Sequence, residues 1–355
     1  MSAKDTSPSP RLQAVERRRE PVPSERIEAF IMPSDRNGSN LRGDTSSPSG
    51  GSSVTPAVTP LPAAVHSSTD PSGRAVAAVV VLFHPPVSVL ENLRSYASQV
   101  SAVFAVDNTP DPDEGFTAAL RVMADLTYIA NGDNLGIAAA LNVGCRAARD
   151  AGFAWALTMD QDSTATPAMV ERLMTCATGA SGSIGLVSPV HRQVGGIERD
   201  VPTDCHEVLT AMTSGNVVSI PALESVGWFM DDLFIDQVDN EICLRFWRQG
   251  FRVLEAGDAN LVHRVGDVRK HRFPYPAYSS NHAAIRRYYI ARNRLWVGRM
   301  YAVDHPEFGR FERAQIRKDI VKIVLYEHDK GEKLAMIWRG WRDYRAGRLG
   351  AYGGR

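Results

Sequence analysis

The sequence predicts an α/β fold, and three observations carry that reading. Near-continuous apolar runs, AVAAVVVLFHP (75–85), VSAVFAVDN (100–108) and FAWALTMDQD (153–162), have the character of strands buried on both faces. Helix-like segments alternate with them. Polar residues sit at successive strand ends, where open α/β sheets bind ligands.

Taken in order, the run at 75–85 is the first strand, and 88–98 forms the following helix. The second strand, 100–108, ends in Asp107 and Asn108. LTYIA (126–130) is a short third strand, followed by a polar, Gly-containing turn from Asn131 to Gly136. IAAALNVGCRAARDAG then reads as a helix whose start faces that turn. The fourth strand runs into Asp160 and Asp162, and Pro167 opens a helix reaching about Ala177. IGLVSPV (184–190) supplies another strand. Neither a dinucleotide G-x-G-x-x-G nor a P-loop is present.

Before this region, residues 1–72 are rich in Ser, Pro, Thr and Gly, and read as a disordered leader. Residues 73–300 form the main domain, and 301–355 a basic, mostly helical extension. Formal net charge is zero, so nothing in the overall charge argues for nucleic acid. The balance is uneven, however: residues 286–348 carry sixteen Lys or Arg against eight Asp or Glu. Arg317, Lys318 and Lys322 lie among Ile316, Ile320, Val321, Ile323 and Val324, and Trp338, Trp341 and Tyr344 alternate with arginines. A membrane-surface contact explains that pattern, and so does a helix packing on the main domain. No apolar run reaches transmembrane length. Cys145, Cys176, Cys205 and Cys243 are widely spaced, which argues for free thiols in a cytosolic protein.

Two acidic clusters carry the chemistry. Asp160 and Asp162, one residue apart at a strand end, can turn both carboxylates to one metal ion, and such an ion neutralises a diphosphate. In DDLFIDQVDNEICLRFWRQG (231–250), Asp239 lies near a helix start, where it either caps the helix or removes a proton from a substrate hydroxyl. Asp236 carries the same two readings, and Glu241 with Arg245 reads as a helix-surface ion pair. His263, after a short apolar strand, either completes the metal shell or is structural. Asp107 can accept a hydrogen bond from a thymine or uracil imide, or cap its turn. His84, Asn108 and Asn134 follow strands that converge on the same edge.

The ordered motifs FHP (83–85), VDN (106–108), NLGIAAALNVG (134–144), TMDQDS (158–163), SGNVVSI (214–220), DLFIDQVDNEICLR (232–245) and LVHRVG (261–266) resemble family 2 glycosyltransferases, in particular bacterial rhamnosyltransferases, over residues 75–300. The resemblance implies a GT-A fold: a Rossmann-like mixed sheet flanked by helices, here with a C-terminal helical extension. It implies an inverting, Mg2+- or Mn2+-dependent transfer of L-rhamnose from dTDP-β-L-rhamnose to a glycan, lipid-linked or glycolipid hydroxyl in cell-surface polysaccharide or glycolipid synthesis. The implied location is the cytoplasm, at the inner face of the cell membrane. Asp107 would read the base, with His84, Asn108, Asn134 and Asp160 holding the donor. Asp162 and His263 would bind the metal, and Asp239 would be the catalytic base. Val238 stands where the family commonly has the first acid of a Glu-Asp pair, a departure that leaves Asp236 as the nearby acid. Ser214, Gly215, Asn216, Trp228 and Asp236 would shape the acceptor side, although Trp228 reads equally as core packing. A UDP-galactofuranose or other deoxyhexose transferase, or a noncatalytic nucleotide- or carbohydrate-binding protein, fits the same outline.

Overall fold

The computed structural model describes residues 57–58, 76–193, 202–263, 269–271, 277–279 and 281–354. Its centre is a ten-stranded mixed sheet. Strands β2 (Val76–Leu82), β3 (Ala102–Asp107), β4 (Leu126–Ala130) and β5 (Trp155–Asp160) run parallel, in the order β4-β3-β2-β5. Beyond β5 the sheet continues through β9 (Asn216–Ser219), antiparallel, to β7 (Ile184–Gln193) and β10 (Arg252–His263), which again point the same way as β5. Short β6 (Ser163–Ala165) and β8 (Cys205–Glu207) both pair with β10. The expected α/β class, a mixed sheet flanked by helices, therefore holds. Most of the predicted leader lies outside the described residues; within it, Ala57–Val58 form a two-residue edge strand, β1, against β4.

The two-sided burial that marks β2 in the sequence is visible residue by residue. Ala77 and Val79 belong to the core on one face, and Val76, Ala78, Val80 and Leu82 to the core on the other. Helices α1 (Val89–Ala97), α2 (Glu114–Arg121) and α4 (Met169–Gly179) cover the second face. Helices α3 (Ile137–Asp150) and α6 (Val238–Arg248), with the short α5 (Ile220–Ser225), cover the first. Pro167 does not open α4. It precedes Ala168, whose left-handed φ of 59° caps the helix.

The C-terminal helices are α7 (Ala284–Met300), α8 (Pro306–Tyr326) and α9 (Lys330–Arg345). α8 meets α7 glycine to glycine: a Cβ on Gly309 would lie 2.7 Å from the Gly298 carbonyl oxygen. Such contact permits an interior built from charge. Arg294 bridges Glu312 (3.0 Å) and Asp319 (2.6 Å), while Glu327 takes Arg287 (2.6 Å) and Lys333 (3.0 Å). Arg287, Arg294 and Lys333 are thus matched inside the bundle.

The free-thiol expectation is corrected for two of the four cysteines. Cys176 on α4 and Cys205 on β8 form a disulfide with Cα atoms 5.6 Å apart. The pairing is invisible in the sequence because β8 is brought beside α4 by its pairing with β10, far along the chain. Cys145 and Cys243 are free and buried within α3 and α6.

Candidate functional site

Because β2, β3, β4, β5 and β10 point the same way, their C-terminal ends share one edge. There, the turn linking β5 to β6 carries Asp160 and Asp162. It is tied down on every side. The Gln161 amide clamps Phe83, accepting from its N–H (2.9 Å) and donating to its carbonyl (3.2 Å), and Asn92 Nδ2 donates to the Gln161 carbonyl at 2.8 Å. The Asp160 N–H donates to Ser214 Oγ (3.1 Å), which donates to Ser163 Oγ (2.8 Å). The antiparallel register sets His263 across from Ser163, one residue from Asp162.

The second acidic cluster approaches through an irregular loop. After the 3-10 turn Asp231–Leu233, residues Phe234, Asp236 and Gln237 all have positive φ, between 65° and 67°. Non-glycine residues reach that region at a cost of about 1–3 kcal/mol each, and concentrate at functional sites. Asn293 of α7 holds the loop in place: its Nδ2 donates to the carbonyls of Leu233 (2.8 Å), Ile235 (2.7 Å) and Asp236 (3.0 Å). The Phe234 carbonyl accepts from the N–H of Ile137 (2.7 Å), so the loop closes on the start of α3. A Cβ on Gly136 (φ +85°) would lie 2.6 Å from that same carbonyl oxygen, which requires glycine there.

Asp239 sits in the first turn of α6, and its Oδ1 accepts from the Asn240 N–H at 2.9 Å. Burial pushes its carboxyl up to about 6; the backbone N–H groups oppose the shift, Asp236 adds to it, and Arg286 reduces it. Asp160 is pushed up to about 7, first by burial and then by the charges of Asp162 and Asp239, with Arg286 opposing. Arg286 of α7 also donates to Asp236 Oδ1 at 3.1 Å. Asp160, Asp162, Asp239 and Asp236 therefore gather at one place, with the Arg286 guanidinium opposing the charge among the described residues. Excess negative charge of this kind suits a hard cation, and carboxylate oxygens are the donors that Mg2+ and Mn2+ favour. Among the described residues no three His, Cys, Asp or Glu groups form a ready-made metal cluster. The side chain of His263 is outside them.

The other end of the edge is organised differently. Asp107 is 1% exposed, and its two oxygens accept from the Thr109 N–H and the Tyr128 hydroxyl, each at 2.8 Å. Asn108 is also buried. It donates to the Gly136 carbonyl (3.0 Å) and accepts from Asn131 (2.7 Å). Asn134 Oδ1 accepts from the Gly136 N–H at 3.0 Å. His84 is exposed with φ 44°, and its N–H donates to Thr109 Oγ1 at 2.8 Å.

Of the residues expected on the acceptor side, Ser214 and Asp236 join the edge. Gly215 and Asn216 lead into β9 beside β5, the Gly215 N–H donating to the Thr158 carbonyl at 2.7 Å and Asn216 pairing with Thr158. Trp228 does not join: it lies against Arg146 and Arg149 in the later turns of α3, with those guanidiniums 5.1 Å and 5.3 Å from its ring, toward the opposite end of the sheet from Asp160. Its packing alternative is what the geometry supports. Glu241 pairs with Arg245 as expected, but not at the helix surface: it is buried, and it also accepts from the Tyr301 hydroxyl at 2.7 Å. Sequence reasoning missed Arg286, Gln161 and Asn293. Only the arginine pair at 286–287, at the start of a helix, offered any signal for the first of them.

Residues 79–196 match the family model described as Glycosyl transferase family 2. The chain is 29% identical to the dTDP-rhamnosyl transferase RfbF of Shigella flexneri over 237 residues, which is 61% of this chain and 77% of that protein. Among solved structures, the mannosyltransferase PcManGT of Pyrobaculum calidifontis, in complex with GDP-Man and Mn2+, aligns over 78% of this chain and 77% of its own, at 18% identity and a TM-score of 0.49. GalNAc-T7 with UDP, GalNAc and Mn2+ aligns over 70% of this chain, at 12% identity and a TM-score of 0.48; the chain spans 57% of that protein.

Proposed function

We infer, for a chain that is a glycosyltransferase of family 2 and resembles the dTDP-rhamnosyl transferases, that it moves L-rhamnose from dTDP-β-L-rhamnose to a hydroxyl of a glycan, lipid-linked or glycolipid acceptor, with inversion at the anomeric carbon. The observation that carries the reading is the meeting of the Asp160-x-Asp162 turn with Asp239 on one sheet edge, each of Asp160 and Asp239 feeling its acidic neighbours.

In this mechanism Asp239 is the base. With its carboxyl at about 6, it is largely ionised at neutral pH yet basic enough to take a proton from a hydroxyl as the C–O bond forms. The acceptor oxygen attacks the anomeric carbon, the bond to the diphosphate breaks, and the electron pair leaves with dTDP. Asp162, with His263, would hold Mg2+ or Mn2+, which when bound neutralises the charge gathering on the departing diphosphate, and Asp160 would help hold the donor. Arg286 orients Asp236 beside the base. Asp107 and Asn108, whose hydrogen bonds the protein already takes up, would build the turn that supports the nucleotide, with Asn134 beside it, rather than Asp107 receiving the imide N–H of thymine.

The test is a nucleotide-sugar panel offered to the purified protein with Mg2+ or Mn2+, read as donor hydrolysis and product mass. Preferential turnover of dTDP-rhamnose is the expected result. Preference for UDP-galactofuranose or another deoxyhexose donor would overturn the sugar assignment and leave the transferase chemistry standing. Donor binding without turnover across a panel of glycan acceptors would favour a noncatalytic role.

A further inference from the structure

Helices α8 and α9 bury one side and present a patterned surface on the other. On α8, Phe308, Gly309, Glu312 and Ile323 are buried. The outer side carries Arg310, Arg313, Arg317 and Lys318, all exposed, followed by Val321, Val324 and Leu325, also exposed. Offsets of three, seven and eight residues, then eleven, fourteen and fifteen, place them along one stripe of the helix. Of the acids of α8, Glu312 is buried, Asp319 pairs with Arg294 and Arg287, and Glu307, in the first turn at the start of the stripe, faces His305. On α9, Trp338 and Trp341 are 56% and 47% exposed. Arg342 and Arg345 stand over their rings at 5.4 Å and 5.9 Å.

The cations of this segment thus fall into two populations. Arg287, Arg294 and Lys333 are neutralised inside the helix bundle, Arg342 and Arg348 reach Asp343, and Arg310, Arg313 and Arg317 lie exposed on the outer side of α8 in line with exposed aliphatic groups. No helix among the described residues is long and apolar enough to cross a membrane. We propose that the outer face of α8, with Trp338 and Trp341 of α9, seats the protein on an anionic bilayer. Arginine and lysine side chains would meet lipid phosphates and carboxylates, while the indoles and aliphatic groups enter the headgroup boundary. A nucleic acid would answer the cations but leave Val321, Val324 and Leu325 unexplained. A two-fold contact with a second copy would set the same row of cations against itself. The proposal is independent of which sugar the enzyme transfers. It gives a lipid-linked acceptor a place to be met, since α7 and α8, which carry Arg286 and Glu312 on their inner sides, belong to the same bundle.

The experiment is co-sedimentation of the full chain with neutral phosphatidylcholine vesicles and with vesicles containing phosphatidylglycerol, at low and high salt. Binding to the anionic vesicles alone, weakened by salt, is expected. Reversing three charges (R310E, R313E, R317E) should lower the partition coefficient by at least about 100-fold, from roughly five-fold for each cation lost near an anionic surface and further repulsion from each anion gained. W338A/W341A should weaken binding at both salt concentrations, because the indole contribution is not screened. Thermal melts of both variants check that the bundle remains folded. Equal sedimentation of parent and folded variants would overturn the proposal, as would absence of parental binding to anionic vesicles. Self-association of the parent in solution that W338A/W341A abolishes, without vesicle binding, would assign the face to a second copy instead.

Discussion

The two ends of the ligand edge differ in how their polar groups are satisfied. At the β3–β4 end, Asp107 and Asn108 are buried and answered by the protein: Tyr128, Thr109, the Asn131 amide and the Gly136 carbonyl take up their hydrogen bonds. At the β5–α6 end, Asp160 and Asp239 are held close to other acids, and their carboxyls are pushed up to about 7 and about 6. The first end is a finished turn, and the second is a set of charges that a ligand would complete. A strand-end acid is therefore not one kind of signal. The same residue type builds the loop at one position and faces substrate at another, and the difference lies in what surrounds it.

The sharpest way to break this contrast is Asp239→Asn. The substitution keeps size and the first-turn position but removes the proton acceptor. Turnover should fall roughly a hundred-fold or more, with dTDP binding and the circular-dichroism spectrum preserved. Near-parental turnover would make Asp236 the candidate base. Equal losses of binding and turnover would point to a collapsed site, and would erase the distinction between the two ends.

A second test reads the metal without reading activity. Mn2+ with dTDP should raise the melting temperature of the parent, and Asp162→Asn should remove most of that increment by lowering affinity for the ion. An unchanged increment would deny Asp162 its role as ligand. On the finished side, Asn108→Ala should act on stability. Leaving the Asn131 amide without its partner, and taking one of two donors from the Gly136 carbonyl, costs about 1–3 kcal/mol, read as a lower melting point with the Mn2+–dTDP increment intact. If N108A instead spared stability and lost the increment, the asparagine would be a direct donor contact.

What was legible in the sequence follows the same division. The strands β2, β3 and β5 were readable because burial on both faces writes an unbroken apolar run. The Asp160-x-Asp162 and Asp239 positions were readable because strand ends and helix starts are local. Arg286 and Asn293 were not, because they reach the site from α7, a helix far along the chain, and nothing near them in sequence marks the loop they hold. The Cys176–Cys205 disulfide was hidden for the same reason, β8 being three residues long and placed only by its pairing with β10. Trp228 shows the converse: a tryptophan beside an acidic motif in the chain, turned by its own positive φ of 68° toward the back of α3.

The smallest expected effect is a pH dependence of stability that separates the two ends by sign. Asp239 has its carboxyl raised from 3.8 to about 6, and Asp160 from 3.8 to about 7, each chiefly by burial. The folded protein therefore holds protons at these positions that the unfolded chain has released. Their contribution to stability is fully present below the unfolded value and is lost as pH rises through the folded one. Asp239→Asn removes one such titration, because an amide carries no charge to bury at high pH. The melting temperature of D239N relative to parent should accordingly rise between pH 4.5 and pH 7.5, without added metal (an approximate window bracketing the titration). Asp107→Asn, at the finished end, replaces one acceptor with a donor facing the Tyr128 hydroxyl or the Thr109 N–H, so it should lower the melting temperature at the neutral end. A D239N difference that stays flat across the window would mean that Asp239 is not strained by burial and its acidic neighbours, and the contrast between the two ends would then rest on hydrogen bonding alone.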